Sequence, residues 1–280
     1  MEFKIPEVTL NDGLTVPVIG LGTYELKGID GVNAIVSAIQ NGYRLIDTAY
    51  NYENEGTVGE AIRRSSVPRH ELLITSKLPG RYHEYDKAVT AIQESLYRAN
   101  LEYYDIYLIH WPNPSQDKYV EAWHALIDAK KWGLIRSIGV CNFLPEHIER
   151  LEKETGVLPS MNQIELHPYF NQAEQRKYHE EKNIATQSWS PLTKGLKDLQ
   201  VDTLQSIASR HNKTIPQIIL RWHYQLGAIS IPKSASPVRQ LENISIFDFS
   251  LDDTEMEMIS ALSRPDGRVR NQDPAVYEEY

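Results

Sequence analysis

Four residues of this chain could together deliver a proton to a carbonyl: the acid Asp47, the phenol Tyr52, the ammonium Lys77 and the imidazole His110. Three of them lie where short apolar runs end, at Leu45-Ile46-Asp47, Leu72-Leu73-Ile74-Thr75-Ser76-Lys77 and Ile106-Tyr107-Leu108-Ile109-His110. Tyr52 follows the first run within one short loop. If the runs are parallel strands, the four groups converge at the carboxyl edge of one sheet, where α/β folds keep their chemistry. Carbonyl reduction needs a hydride on carbon, a proton on oxygen and stabilisation of the developing alkoxide. A phenol, with a reference pKa of about 10, is a weak acid at neutral pH, and a neighbouring ammonium lowers that value. Tyr52 is then the acid, Lys77 its tuner and Asp47 the anchor of Lys77. His110, as neutral imidazole, would donate an N–H to the substrate oxygen and orient it. Singly, such residues have plainer uses, as turn caps or solvated strand ends. Their recurrence at the ends of successive strands is what favours chemistry.

The elements that must position them are legible as an alternation. Eight β-rich runs, Pro17–Leu21, Leu45–Asp47, Leu73–Lys77, Ile106–His110, Ile135–Val140, Met161–Glu165, Ala185–Ser188 and Ile229–Pro232, are separated by helical patterns. Those patterns are Asp30–Asn41, Asn54–Ser65, Asp86–Asn100, Lys118–Lys131, Pro145–Glu154, Gln172–Lys182, Val201–His211 and Ile215–Gln225. In Asp86–Asn100 the residues Ala88, Val89, Ala91, Ile92, Leu96 and Ala99 form one apolar stripe of 3.6-residue period. The alternation runs past six strands without a composition break, so an eight-stranded (β/α)8 TIM barrel is the simpler topology. Val8 to Val16 reads as a hairpin about Asn11-Asp12-Gly13, placed to cap the barrel floor. Leu251–Leu262 reads as a last helix begun near Ser250, and Ser263–Tyr280 as a polar tail without tight packing. A chain of 280 residues fits one such domain, 1–280.

A net charge of −9 argues against a nucleic-acid or anionic-membrane surface, so the expected partner is a small molecule and the expected state a monomer. The single cysteine, Cys141, cannot form an internal disulfide, and Met-Glu-Phe-Lys-Ile-Pro lacks the layout of a signal peptide. No apolar run approaches a membrane span of roughly 20 residues. The expected location is the cytoplasm.

Gly42-Tyr43-Arg44-Leu45-Ile46-Asp47-Thr48-Ala49-Tyr50-Asn51-Tyr52-Glu53-Asn54-Glu55, followed by Val58-Gly59, resembles the first signature of the aldo-keto reductases. Further matches run in order through Leu108-Ile109-His110-Trp111-Pro112, Ile138-Gly139-Val140-Cys141-Asn142-Phe143, Asn162-Gln163-Ile164-Glu165-Leu166-His167-Pro168 and Ile231-Pro232-Lys233-Ser234 with Arg239, Glu242 and Asn243. The resemblance, closest to the small bacterial branch acting on diketogluconate and glyoxals, implies a (β/α)8 barrel, NADPH as cofactor, and Asp47, Tyr52, Lys77 and His110 in the roles argued above.

The cofactor side can be tested against chemistry. Gly20-Leu21-Gly22-Thr23-Tyr24-Glu25 fails the dinucleotide-binding G-x-G-x-x-G at Glu25, so a dinucleotide must be held otherwise. Lys233 and Arg239, with Ser234 as a further donor, suit the 2′-phosphate of NADPH. The resemblance implies adenine contacts for Glu242 and Asn243, carboxamide contacts for Asn142 and Gln163, a nicotinamide-stacking ring in Trp189, and further cofactor contacts at Ser190 and Leu192. Cys141 replaces a hydroxyl residue that many relatives carry. Tyr24, Tyr50 and Trp111 are expected to wall the substrate pocket, with Arg268–Tyr280 placed to close it. Pro79 stands where many relatives carry Trp, so Pro79-Gly80 is expected to widen the pocket and Arg81 to reach toward anionic substrates, unless a neighbouring loop refills the space.

Three rivals stand beside this reading. Glu165 and His167 could join Asp47 and His110 as metal ligands, but Val18-Ile19-Gly20-Leu21 offers no His-x-His on the first strand, so no metal is expected. Glycoside hydrolysis by Asp47 and Glu165 would need a particular carboxyl separation. An NADPH-binding redox sensor could use the same barrel with little turnover.

Overall fold

In the computed structural model, which describes residues 5–193 and 201–280, the chain opens with an antiparallel hairpin of β1 (Glu7–Thr9) and β2 (Thr15–Pro17), with Val8 opposite Val16. Leu10 and Val16 of the hairpin pack with Leu45, Ile106, Leu108, Cys141, Met161 and Ile229, one apolar cluster drawn from the hairpin and five different strands. The hairpin therefore plugs the floor, as expected.

Eight strands then pair in parallel and in chain order: β3 (Leu21–Gly22), β4 (Leu45–Asp47), β5 (Leu73–Leu78), β6 (Tyr104–Ile109), β7 (Ile135–Cys141), β8 (Met161–Glu165), β9 (Ala185–Trp189) and β10 (Ile229–Ser230). The two ends of the sheet meet through parallel bridges Ile19 to Ser230 and Gly22 to Lys233. Gly20 N donates to Ser230 O at 2.8 Å and Ser230 N to Val18 O at 3.1 Å, closing the barrel. The approach is too close for a side chain at Gly22, whose Cβ would lie 2.7 Å from Ile231 O. The expected first run, Pro17–Leu21, is divided: Pro17 ends the hairpin, and only Leu21–Gly22 forms regular strand. Proline, having no N–H, cannot carry a ladder onward.

Around the strands lie α1 (Gly28–Gln40), α2 (Glu55–Arg64), α3 (Tyr85–Ala99), α4 (Tyr119–Lys131), α5 (Pro145–Thr155), α6 (Ala173–Glu181), α7 (Asp202–His211) and α8 (Ile215–Gln225). In α3, Ala88, Ala91, Ile92, Leu96 and Ala99 are buried, which is the stripe the periodicity predicts, and Asn100 stops the helix in a left-handed turn at φ 51°. Two helices follow β10. The first, α9 (Pro237–Ile244), is not predicted from the sequence pattern; Ser236 caps it by accepting from Arg239 N, and Pro237 sits in its first turn. The second, α10 (Asp253–Ser260), is shorter than the expected Leu251–Leu262 and starts at an Asp252–Glu255 capping box rather than at Ser250. No helix among the described residues is long and apolar enough to cross a membrane.

The tail corrects an expectation. It has no helix or strand, yet it is laced to the barrel mouth: Val269 N donates to Glu165 Oε1 at 2.5 Å, Arg268 lies over the Phe170 ring at 4.7 Å, and Tyr277 packs on Trp111 with ring centres 4.4 Å apart. Polarity misled the sequence reading, because these anchors are hydrogen bonds and ring contacts rather than a periodic apolar stripe.

Candidate active site

The register of the strands sets the site. Asp47 ends β4 opposite Thr75, Lys77 lies two residues further along β5, and His110 follows β6, its N–H donating to Leu78 O at 2.9 Å. Tyr52 ends a single 3₁₀ turn, Tyr50–Tyr52, that Glu53 stops in the left-handed region at φ 54°. The four expected residues thus meet at one end of the barrel. Lys77 Nζ donates to Asp47 Oδ1 at 2.5 Å and to Thr48 O at 2.7 Å, and the ammonium lies 4.9 Å from the centre of the Tyr52 ring. Both members of the ion pair are fully buried. The Tyr52 ring meets His110 edge-on at 6.0 Å and Tyr24 edge-on at 5.2 Å.

Electrostatics modify the expected tuning. Burial pushes the Tyr52 hydroxyl up and outweighs the lowering effect of Lys77, leaving it at about 12. The phenol therefore stays protonated across neutral pH. Burial also works against the Lys77 charge, but Asp47 and Tyr52 outweigh it and hold the ammonium above its ordinary range. Cys141, buried beside this group, has its thiol pushed well up by burial.

Beside these four residues lies a band of amides. Gln163 Nε2 donates to Asp47 Oδ2 at 2.8 Å and to Gln187 Oε1 at 2.6 Å. Asn142, with a left-handed φ of 61°, donates to His110 O at 3.0 Å and accepts from Trp189 Nε1 at 2.8 Å. The half-buried Trp189 ends β9, followed by Ser190 at φ 49°; Leu192 packs between two apolar clusters. Across the mouth, Lys233 follows β10 and reaches Glu25 at 3.8 Å, and Arg239 lies in the first turn of α9. Ser234 Oγ accepts from Ser236 N at 3.2 Å. Glu242 accepts from Thr214 Oγ1 at 2.5 Å, and Asn243 is buried in the last turn of α9. Lys233 and Arg239 lie three residues before and after the Ser236 cap of α9, a charge and helix-start combination suited to a phosphate, and the half-buried Trp189 indole with the unpartnered Gln187 Nε2 two residues before it suits a flat polar ring. The donor set fits a dinucleotide carrying an extra phosphate.

Not every expected residue is in the pocket. Trp111 and Tyr24 flank Tyr52 and the tail, but Tyr50 turns elsewhere: its hydroxyl accepts from Arg98 Nη2 at 2.7 Å, and its ring meets Tyr82 at 5.4 Å. Arg81 goes with it, stacked over Tyr82 at 4.8 Å and donating to Asn51 Oδ1 at 2.6 Å. These groups line a separate cleft of about 490 Å³ with Glu53, Glu55, Gly56 and Arg98. With about three residues per 3₁₀ turn, Tyr50 and Tyr52, two positions apart, point in different directions and do not share one pocket. The space beside Pro79 is also filled. Gly80 N donates to Glu279 Oε2 at 3.2 Å, and a Cβ on Gly80 would lie 2.2 Å from Asn113 Nδ2. Asn51, Asn113, Tyr277 and Glu279 therefore meet beside the site; the tail was expected to close the pocket, but the sequence did not single out these four residues. Glu165 and His167 pair with each other at 2.9 Å, with Glu165 also holding the tail at Val269.

An eight-stranded parallel barrel with Asp47, Tyr52, Lys77 and His110 at one mouth is the architecture of the Aldo/keto reductase family, whose pattern matches residues 18–264. The chain belongs to that family. It is similar to 2,5-diketo-D-gluconic acid reductase B of Corynebacterium sp. (strain SHS752001), 50% identical over 276 residues that cover 99% of each chain. Methylglyoxal reductase DkgA of Escherichia coli (strain K12) is 43% identical over 268 residues, 95% of this chain and 96% of that one. Among solved structures, an aldo/keto reductase from Brucella melitensis has a TM-score of 0.89 at 46% identity, covering 92% of this chain and all, 100%, of that one. A mutant of Gox0644 in complex with NADPH has a TM-score of 0.93 at 41% identity, covering 98% and 99%.

Proposed function

We propose that this protein reduces small aldehydes or ketones to alcohols with NADPH, as a single domain over residues 1–280 acting as a monomer in the cytoplasm. The observation that carries the reading is the buried Lys77–Asp47 pair under Tyr52, because a buried ion pair touching a phenol beside an imidazole has a direct use in proton transfer. NADPH, when bound, supplies the hydride to the carbonyl carbon. Tyr52 gives its proton to the carbonyl oxygen, and the phenolate left behind is stabilised by the Lys77 ammonium that Asp47 fixes in place. His110 orients the oxygen against Tyr52. Asn142 and Gln163 would hold the carboxamide, Trp189 the nicotinamide face, with Ser190 and Leu192 adjoining, while Lys233, Ser234 and Arg239 would take the 2′-phosphate and Glu242 and Asn243 the adenine. Tyr24 and Trp111, with Tyr277 on the latter, wall the pocket. Reductases of 2,5-diketo-D-gluconic acid and methylglyoxal among its relatives support small oxo-carbonyl compounds as substrates.

The test is NADPH oxidation with a panel of aldehydes, run on the wild type and on Tyr52→Phe. Loss of the acid should lower kcat by about 10²–10⁴-fold with NADPH affinity nearly intact. NADPH binding without turnover of any panel member, or a Tyr52→Phe variant as fast as the wild type, would overturn the reading.

A further inference from the structure

The tail carries a carboxylate to the Nδ1 edge of His110. Glu279 Oε1 lies 2.7 Å from His110 Nδ1, close enough for an ion pair but without a hydrogen bond's alignment. The same oxygen accepts from Asn51 Nδ2 at 2.7 Å, and the second accepts from Gly80 N at 3.2 Å. Glu279 is buried, so this is an enclosed carboxylate and not a stray surface charge. Its docking does not depend on the carboxylate alone: Asn113 Nδ2 donates to Glu279 O at 2.7 Å and Glu279 N to Asn113 Oδ1 at 3.2 Å.

An imidazole has two nitrogens, so with a carboxylate on Nδ1 any hydrogen bond to a reacting oxygen must come from Nε2. A neutral ring whose one proton is drawn to Nδ1 leaves Nε2 an acceptor, and only the doubly protonated ring donates from both. We propose that Glu279 is a positioning residue for His110, its carboxylate fixing the Nδ1 edge of the ring so that Nε2 is the nitrogen turned to the substrate oxygen. The assignment rests on the carbonyl-reduction reading above. Burial alone would push Glu279 up, but His110, Asn51 and Gly80 outweigh it and hold the carboxyl below its ordinary range, so the anion is present at neutral pH.

The other titratable groups around the pair do not supply this charge. Tyr52 is a neutral phenol, His83 is buried and pushed down to about 4, and the Cys141 thiol is kept protonated by burial. Lys77 and Asp47 neutralise each other, and Arg81 is spent on Asn51 Oδ1.

The experiment compares wild type, Glu279→Gln, Glu279→Asp and Asn113→Ala as full-length enzymes saturated with NADPH, with methylglyoxal as substrate from pH 5 to 10. Glu279→Gln keeps the backbone anchor to Asn113, so near-ultraviolet dichroism should stay wild-type in that variant and change in Asn113→Ala. In Glu279→Gln the expected result is a fall in kcat of about tenfold or more, with KM and NADPH affinity unchanged and partial rescue of kcat in Glu279→Asp. A wild-type kcat across that pH range in Glu279→Gln would overturn the proposal. So would a loss in Glu279→Gln equal to that of Asn113→Ala and not rescued in Glu279→Asp, which would make Glu279 a tail anchor only. Absence of turnover in the wild type would fail the carbonyl-reduction reading itself, and this assignment with it.

Discussion

Gln163 and Asp47 are bonded to each other: the amide Nε2 meets Oδ2 at 2.8 Å while Oδ1 holds Lys77 Nζ at 2.5 Å. One carboxylate is thus divided between the residue proposed to touch the carboxamide and the residue proposed to tune the acid. Gln187 extends the chain on the far side at 2.6 Å, so a continuous polar line crosses β9, β8, β4 and β5 beneath Tyr52. Such a line ties the position of the hydride donor to that of the proton donor, because neither amide can rotate without breaking a buried bond.

Asp47→Asn tests that line. The substitution keeps the shape but removes the charge, leaving Lys77 buried beside a neutral amide. Breaking a buried pair by removing one partner typically costs about 3–5 kcal/mol. Urea unfolding at pH 7 should show that loss, and kcat should fall with it. A variant of wild-type stability and turnover would show that the pair neither fixes Lys77 nor matters to the proton transfer.

The proposed phosphate site makes a separate prediction about cofactor choice. Replacing both Lys233 and Arg239 by Ala should weaken NADPH far more than NADH, which lacks the 2′-phosphate. A charge-assisted hydrogen bond is worth about 1.5–3 kcal/mol, or about ten- to a hundredfold in affinity. Lys233 is partly exposed and shares Glu25, so its share should lie at the low end. Fluorescence titration with both cofactors decides the matter, and an equal loss for each would remove these residues from the phosphate site.

The barrel was legible because short strands and amphipathic helices write their periods into the chain, as Ala88, Ala91, Ile92, Leu96 and Ala99 do in α3. The convergence of Asp47, Tyr52, Lys77 and His110 was legible because strand ends place them. What escaped is non-periodic. Helix α9 is only eight residues long and half polar, although Ser236-Pro237 is a readable start signal. Tyr50 was misplaced because the direction of a side chain in a 3₁₀ turn is not set by sequence spacing. Glu279 reaches its partners across 169 residues to His110, 199 to Gly80 and 228 to Asn51, and no local pattern encodes a contact of that kind.

Acid should destabilise the fold before its carboxylates are titrated. His83, His179 and His223 are buried and held neutral, pushed down by desolvation to about 4, about 3 and about 3. In the unfolded chain they take protons near pH 6.5, so between there and pH 4 the unfolded state binds more protons and stability falls as pH falls. Each contributes a slope of up to about 1.4 kcal/mol per pH unit. Glu55, which burial pushes up, works with the opposite sign over its own window. Urea midpoints at pH 7, 6 and 5 should therefore decline steadily. Replacing His83, neither of whose ring nitrogens has a hydrogen-bond partner among the described residues, by Leu should flatten the decline by about a third. A midpoint constant over that range would show that the three histidines titrate alike in both states.

Gly80 decides whether the tail can dock. A methyl group there would stand 2.2 Å from Asn113 Nδ2 and 2.5 Å from its Cγ, well inside contact distance. Asn113 cannot yield without losing its two bonds to the Glu279 backbone, and the Gly80 N–H that holds Glu279 Oε2 would move with it. Gly80→Ala should therefore release the last residues of the tail while leaving the barrel intact, at a cost of about 1–3 kcal/mol for overpacking. Limited proteolysis followed by mass spectrometry should find the C-terminus trimmed about tenfold faster or more, since cleavage follows the population of the open form. The kcat/KM for methylglyoxal should fall in the same variant, while NADPH affinity, proposed above to rest on Lys233 and Arg239, should hold. A tail as protected as in the wild type would mean that the segment from Pro79 to Tyr82 can shift to admit the methyl group, and that the side of the pocket filled by Glu279 is softer than its contacts imply.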